Sequence, residues 1–112
     1  MTFFRLLARR ALAAGADYVG AGPVYPTGSK ADAGEPLPPD RFAALVALCH
    51  GGERRVPLVA IGGIGPGRIL PLVAAGADAV AVIRAVMAAS DPGAAARELV
   101  AELTVARQRE NR

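Results

Sequence analysis

The sequence contains very little of several chemically useful residue types. Its 112 residues include one cysteine, one histidine, one lysine and no tryptophan. The single cysteine, Cys49, excludes a disulfide within the chain. Cys49 and the neighbouring His50 are too few to form a metal site unaided. We interpret His50, which precedes Gly51-Gly52, as a polar residue at the C-terminal end of a helix.

Long apolar runs are also missing, and we expect no cleavable leader. Hydrophobic residues make up 53% of the chain, but no run approaches the roughly 18 residues of a membrane-spanning helix. The longest candidate, residues 77–89, is interrupted by Asp78 and Arg84. The first residues carry no clear cleavage site. These features predict a soluble, cytoplasmic protein with no membrane partner.

The positive charge is placed in a way that argues against nucleic-acid binding. The net charge is +3, and the arginines concentrate near the two ends of the chain without interleaved aromatic residues. Near the C-terminus they alternate with acidic residues, which is typical of a solvated helix face. The residues of this face are Arg97, Glu98, Glu102, Arg107, Arg109 and Glu110.

A short internal repeat indicates the architecture. Residues 13–19 and 74–80 match at six of seven positions, and each copy follows a stretch rich in alanine and leucine. The glycine of each copy, Gly15 or Gly76, can end a helix in the left-handed conformation. An Ala-Asp pair then leads into a β-prone run. The repeat predicts one kind of helix-to-strand connection, used twice.

The apolar runs predict three strands, over residues 18–21, 55–61 and 79–82. None alternates apolar with polar residues, so we expect a parallel sheet that is covered on both faces. Helices are predicted over residues 3–14, 39–49, 68–75 and 92–107. Asp91 and Pro92 are predicted as N-cap and first residue of the last helix. The predicted α/β order is α-β-α-β-α-β-α.

Three β/α units are too few to close a (β/α)8 barrel of the TIM type, which usually needs about 250 residues. We therefore expect residues 1–112 to form a single partial domain. Either the chain is the C-terminal portion of a longer barrel, or it completes itself by association, for example as a homo-oligomer. A free three-stranded parallel sheet would otherwise keep two exposed edges.

Loops that leave the carboxyl ends of parallel strands are where ligands bind in this architecture. They are residues 22–38, 62–67 and 83–89. The first is long, which favours function over mere connection. Gly62-Gly63 in the second lets the backbone approach a ligand, or it simply permits a tight turn. The third enters a short predicted helix whose free N–H groups favour an anion.

The first loop contains the only lysine, Lys30, at the end of a segment rich in glycine, proline and hydroxyl groups. A flexible backbone with two hydroxyls and one point charge is suited to a phosphorylated ligand. The alternative is an ordinary turn with one solvated lysine. With the three loops at one edge, we favour a phosphate site.

Residues 18–30, YVGAGPVYPTGSK, resemble the signature loop of the thiamine phosphate synthase family. Residues 59–64, 75–83 and 90–92 resemble the later motifs of that family, in the same order and spacing. The resemblance implies a TIM barrel, of which this chain corresponds to the last three β/α units. It also implies a transferase that joins hydroxyethylthiazole phosphate to an aminopyrimidine methyl diphosphate and releases pyrophosphate.

The resemblance also implies roles for residues at matching positions. The lysine would bind the diphosphate and stabilise the departing pyrophosphate as the catalytic group, and the other residues would contact the thiazole phosphate. The implied substrate-binding residues are Thr27, Gly28, Ser29, Lys30, Gly63, Ile83 and Arg84.

Three features depart from the family pattern. Ser29 and Arg84 stand where the family usually has threonine and serine. The Arg84 guanidinium could pair with phosphate, crowd the pocket or point outward. Family members bind Mg²⁺ through aspartates of an earlier part of the barrel, and no aspartate here matches those positions.

Two other functions stay open. One is a non-catalytic half-barrel that binds phosphate, or a truncated product. The other is a relative of the thiazole tautomerase, whose catalytic histidine comes from an earlier strand. His50 lies too late in the chain and on the wrong element to replace that histidine.

Overall fold

The computed structural model describes residues 3–26 and 35–111, which form a three-stranded parallel sheet with helices between and after the strands. Its elements follow the predicted order, and they include the short helix predicted in the loop after the last strand. They are α1 (Phe3–Ala13), β1 (Val19–Ala21), α2 (Pro39–His50), β2 (Leu58–Ile61), α3 (Ile69–Ala74), β3 (Ala79–Ala81), α4 (Arg84–Met87) and α5 (Pro92–Glu110).

The strands lie in the order β1-β2-β3, and both pairs are parallel. Val19 is in register with Leu58, and Val59 with Ala79. All three carboxyl ends therefore meet at one edge of the sheet, which we call the carboxyl edge. The loops after the strands begin there, as the sequence predicted.

Local sequence signals fix several helix ends. Gly15 and Gly76 have φ values of +90° and +113°, so the predicted left-handed ends of α1 and α3 are confirmed. Asp91 caps α5 because its carboxylate accepts a hydrogen bond from the Ala94 N–H at 3.1 Å. Pro92 is the first residue of α5, where its missing N–H costs nothing.

The core lies on one face of the sheet. Ala21, Leu58 and Ala60 are buried there among helix residues such as Phe42 and Ile69. Burying these apolar side chains is the main stabilising contribution.

The opposite face is more open, and here the sequence-based expectation was wrong. Gly20 is exposed on it, and Ile61 keeps 40% of its surface accessible. The apolar runs indicated cover on both faces because none of them alternates apolar with polar residues. In the described residues only one face is fully covered, and the other carries small or partly exposed side chains.

The last helix does more than cover the core. Its Glu102 was expected on a solvated face, but both carboxylate oxygens accept hydrogen bonds from backbone N–H groups. Oε2 accepts from Gly67 at 2.9 Å, and Oε1 accepts from Ile69 at 3.0 Å and Leu70 at 3.4 Å. Because the N-cap residue of α3, Arg68, makes no side-chain cap, α5 supplies the cap of α3 from a distance.

No helix in residues 3–26 and 35–111 combines the length and the apolar character needed to cross a bilayer.

Candidate functional site

Backbone hydrogen bonds join the first two loops at the carboxyl edge. The Val24 N–H donates to the Ile61 carbonyl at 2.9 Å, and the Tyr25 N–H donates to the Gly62 carbonyl at 3.2 Å. These bonds continue the pairing of β1 with β2 beyond the strand ends. The start of the first loop is therefore fixed against the second. The Gly22–Pro23 peptide bond within this start is cis.

Gly63 lies where the two loops touch. Its φ is +66°, and a β-carbon placed on it would lie 2.8 Å from the β-carbon of Tyr25. Only glycine combines that backbone conformation with so close an approach. The Gly63 N–H donates to no acceptor within the described ranges. This N–H, without a partner in the described part of the chain, lies at the edge where parallel β/α proteins bind ligands.

Arg68 bridges the same two loops. Its Nη1 donates to the Gly63 carbonyl at 2.9 Å, and its guanidinium lies 4.7 Å from the centre of the Tyr25 ring. The Tyr25 hydroxyl donates in turn to the Arg68 carbonyl at 3.3 Å. A guanidinium stacked on an aromatic face is favourable in itself. The pair places a fixed positive charge beside Gly63.

The third loop adjoins the second. A β-carbon on Gly65 would lie 4.0 Å from the β-carbon of Ala85, in the first turn of α4. Ile83 is the N-cap of α4 without a side-chain cap, and its carbonyl accepts from the Met87 N–H at 2.8 Å. Arg84 begins the helix with an exposed side chain. The short helix predicted after β3 is confirmed.

The structure thus describes three of the seven predicted site residues. Gly63 lies between the first two loops, and Ile83 and Arg84 lie at the start of α4, beside the second loop. Their role in binding stays a prediction. The other four, Thr27, Gly28, Ser29 and Lys30, lie outside the described residues.

Two residues of this edge were missed by the sequence reading. From the sequence, Tyr25 is only part of a motif, and Arg68 is only the start of a predicted helix. The signal for Tyr25 was its place directly before the predicted binding segment. No feature of the neighbouring sequence identifies Arg68 as part of this site, because its contacts with Gly63 and Tyr25 depend on how the two loops pack.

The opposite, amino edge of the sheet carries a charged cluster around Asp78. Its carboxylate accepts from the Leu58 N–H at 2.8 Å and from Arg55 Nη2 at 2.6 Å, and it lies 2.7 Å from His50 Nε2. The Asp78 carbonyl also accepts from Arg107 Nη2 at 3.1 Å. The side chains of His50 and Arg107 are therefore structural, and Arg107 does not simply face solvent.

The Asp78 contacts change its acidity. Partial burial by itself would raise the pKa of Asp78, but the hydrogen bonds from Leu58, Arg55 and His50 together lower that pKa below its ordinary value. Burial raises the pKa of the Cys49 thiol, and the Asp78 charge raises it further. A buried thiol with a raised pKa is a poor nucleophile.

These residues do not form a metal centre. Within residues 3–26 and 35–111, no three histidine, cysteine, aspartate or glutamate side chains lie close enough together to hold a metal ion. The Asp78 oxygens are already occupied by donors from the protein. The amino edge therefore serves the stability of the fold, which is usual for this end of a β/α barrel.

Comparisons with known proteins agree with this geometry. The family model described as thiamine monophosphate synthase matches residues 4–86. A bifunctional thiamine biosynthesis protein, ThiM/ThiE, from Symbiobacterium thermophilum is 56% identical over 96 residues, which cover 86% of this chain and 19% of that protein. The thiamine-phosphate synthase of Moorella thermoacetica is 46% identical over 100 residues, which cover 89% of this chain and 45% of that protein.

A solved structure shows the same fold. Thiamine phosphate pyrophosphorylase from Pyrococcus furiosus superposes with a TM-score of 0.73 at 35% identity, over 88% of this chain and 44% of that chain. The predicted fold class, part of a TIM-type barrel, is confirmed. This chain spans less than half the length of each of these relatives. On the family match and these identities, the chain belongs to the thiamine monophosphate synthase family.

Proposed function

We propose that this chain provides the substrate-binding loops of a thiamine phosphate synthase. That transferase of thiamine biosynthesis joins hydroxyethylthiazole phosphate to an aminopyrimidine methyl diphosphate and releases pyrophosphate. One observation carries the proposal: the Gly63 N–H, which has no acceptor among the described residues, lies where two loops meet at the carboxyl edge. The family match over residues 4–86 gives that donor a substrate class.

The thiazole phosphate would bind through backbone N–H groups and hydroxyls. Gly63 would donate its N–H to a phosphate oxygen, and the backbone of Ile83 and Arg84 would donate from the neighbouring loop. Donors fixed by the fold bind an anion without the cost of first ordering them. Thr27, Gly28 and Ser29 would complete the contacts from the first loop.

Lys30 would act on the other substrate. Pyrophosphate gains negative charge as its bond to the pyrimidine methylene breaks, and an ammonium group beside it stabilises that charge. We assign the catalytic role to Lys30 for this reason. The exposed guanidinium of Arg84, at the start of α4, would add a second positive charge from the neighbouring loop.

Magnesium is implied by the family resemblance, and the described residues do not fit it. No three acidic, histidine or cysteine side chains come together in the described ranges, and Asp78 lies at the amino edge with its oxygens already bound. We propose that the carboxylates for Mg²⁺ come from other β/α units of the barrel. Those units would belong to a longer polypeptide or to a different associating chain.

Phosphorylated small molecules are thus the proposed partners, and the cytoplasm is the proposed location. The location rests on the single free cysteine, which is more usual in reducing compartments. Fractionation of cells that express a tagged chain would test it, and recovery with membranes or secreted protein would contradict it.

The function is tested by binding and by turnover. Hydroxyethylthiazole phosphate should bind the purified chain in a calorimetric titration. Thiamine phosphate should form with Mg²⁺ only after addition of the amino-terminal half of a relative such as the Moorella thermoacetica synthase. Turnover by the chain alone would contradict the need for further units. Binding without turnover in any mixture would favour a non-catalytic phosphate-binding half-barrel.

A further inference from the structure

Two successive peptide groups at Gly63 are held by the first loop and by Arg68. The Gly62 carbonyl accepts from the Tyr25 N–H at 3.2 Å. The Gly63 carbonyl accepts from Arg68 Nη1 at 2.9 Å. Each carbonyl belongs to the same rigid plane as the N–H of the following residue. The first bond therefore sets the direction of the Gly63 N–H, and the second sets that of the Ile64 N–H.

Both planes are trans, because the cis bond in the described residues is Gly22–Pro23. In a trans peptide the N–H points away from the carbonyl oxygen. With both carbonyls bonded to protein donors, the N–H groups of Gly63 and Ile64 point away from those donors. Neither N–H donates to an acceptor in the part of the chain that the structure describes.

Glycine at position 63 would not hold this geometry alone. A glycine at φ +66° can leave that conformation readily because it has no β-carbon. Arg68 restrains it from one side through a charge-assisted hydrogen bond. The stacked Tyr25 ring and its hydroxyl bond to the Arg68 carbonyl restrain Arg68 in turn.

We propose that Arg68, supported by Tyr25, is a positioning residue that aims the Ile64 N–H at the phosphate of the substrate, beside the Gly63 N–H that the bond from the Tyr25 backbone directs. The inference rests on the proposed function for the identity of that substrate. Arg68 itself is assigned no contact with the substrate. Its part is to fix the second of the two donors that the Gly62-Gly63 turn presents.

The test uses the complete chain, labelled with ¹⁵N, and three probes: hydroxyethylthiazole phosphate, hydroxyethylthiazole without phosphate, and inorganic phosphate. In the wild-type chain the amide signals of Gly63 and Ile64 should both shift with the two phosphate-bearing probes. In Arg68→Gln the Ile64 shift should be lost, the Gly63 shift should remain, and affinity for the thiazole phosphate should fall about tenfold. Affinity for the unphosphorylated thiazole should not change.

Two variants separate positioning from a general effect on stability. Arg54→Gln removes a matched bond, from Arg54 Nη2 to the Ala16 carbonyl at 3.0 Å, at the opposite edge, and should leave all three affinities unchanged. Arg68→Lys keeps a cationic donor and should restore part of the lost affinity. If Arg68→Gln unfolds, the lysine variant carries the test alone, since it should weaken binding of the phosphate-bearing probes only.

The outcomes distinguish this inference from the proposed function. If the wild-type chain binds thiazole phosphate and Arg68→Gln or Arg68→Lys leaves that affinity unchanged, the inference is overturned. The proposed function would still stand. Shifts with inorganic phosphate that depend on Arg68, without binding of the thiazole phosphate, would support the inference and overturn the function. Failure of both phosphate-bearing probes to shift either amide of the wild-type chain would overturn both.

Discussion

Glu102 and Ile69 are joined by a hydrogen bond between a side chain of one helix and the first backbone N–H of another. Oε1 of Glu102 in α5 lies 3.0 Å from the Ile69 nitrogen at the start of α3. The same carboxylate accepts from Gly67 and Leu70. A negative charge beside the unpaired N–H groups of a helix start is favourable. The bond also couples α5 to the end of the loop that contains Gly63.

Replacing Glu102 should therefore destabilise the fold. In Glu102→Ala the N–H groups of the α3 start lose their acceptors, and we expect unfolding to become easier by about 1–2 kcal/mol, as for loss of a helix cap. Urea denaturation followed by circular dichroism would measure the change. Glu98→Ala, at an exposed position of the same helix, is the matched control. Equal losses in both variants would show that the cap contributes nothing.

The element order and several helix ends could be predicted because their signals are local. The glycines at 15 and 76 and the Asp91-Pro92 pair each act within a few residues. The partner of Glu102 could not be predicted in this way. It lies 33 residues away in sequence, and only the packing of α3 against α5 brings the two together.

The contacts of the repeated Ala-Asp motif could not be predicted from local sequence either. Its two aspartates, Asp17 and Asp78, are equivalent in sequence, but Asp78 accepts from Leu58 on the neighbouring strand. Asp17 precedes β1, which in the described sheet has no strand on the side that corresponds to the one from which β2 meets β3, and Asp17 is exposed. The sequence identifies the motif, and the neighbouring strand decides whether the carboxylate finds a donor.

Asp78→Asn should cost stability, and Asp17→Asn should not. Removing the Asp78 charge weakens its bonds with Arg55 and with the Leu58 N–H, a loss of about 1–3 kcal/mol for a part-buried network. Urea denaturation at pH 7 would compare the two variants with the wild type. A similar loss of stability in both variants would contradict the structural role assigned to Asp78.

The contacts of Asp78 also predict how the stability of the fold depends on pH. The pKa of Asp78 is lowered in the folded chain, so its contribution is complete above the unfolded aspartate pKa of about 3.9. The contribution is lost as the pH falls through the lower, folded pKa. Wild-type stability should therefore drop more steeply below about pH 4 than that of Asp78→Asn. If the curves of stability against pH for the wild type and for Asp78→Asn run parallel below about pH 4, the structural role assigned to the Asp78 charge is contradicted.

Lys30→Ala should weaken binding of the diphosphate. Lys30 is the only lysine of the chain, and loss of a charged donor should lower pyrophosphate affinity about tenfold or more in the reconstituted enzyme. Competition of pyrophosphate against turnover would measure it, with Lys30→Arg as the variant that keeps the charge. Unchanged affinity in Lys30→Ala would remove the residue from the site.

Gly63→Ala should damage the candidate site more than Gly67→Ala does. Both glycines have positive φ, +66° and +82°, so an alanine strains the backbone at either position. A β-carbon at Gly67 meets nothing within 4 Å, whereas at Gly63 it would lie 2.8 Å from the β-carbon of Tyr25. The backbone strain alone should cost about 1 kcal/mol in Gly67→Ala.

In Gly63→Ala the clash adds to the strain and must push the first loop away from the second. Binding of hydroxyethylthiazole phosphate should fall at least tenfold in Gly63→Ala and stay near the wild-type value in Gly67→Ala. Calorimetry gives both affinities, and urea denaturation shows the cost of strain in each variant. Both variants carry the backbone strain, but only Gly63→Ala adds the clash with Tyr25. Equal affinity in the two variants would therefore mean that the close contact between Gly63 and Tyr25 does not shape the site.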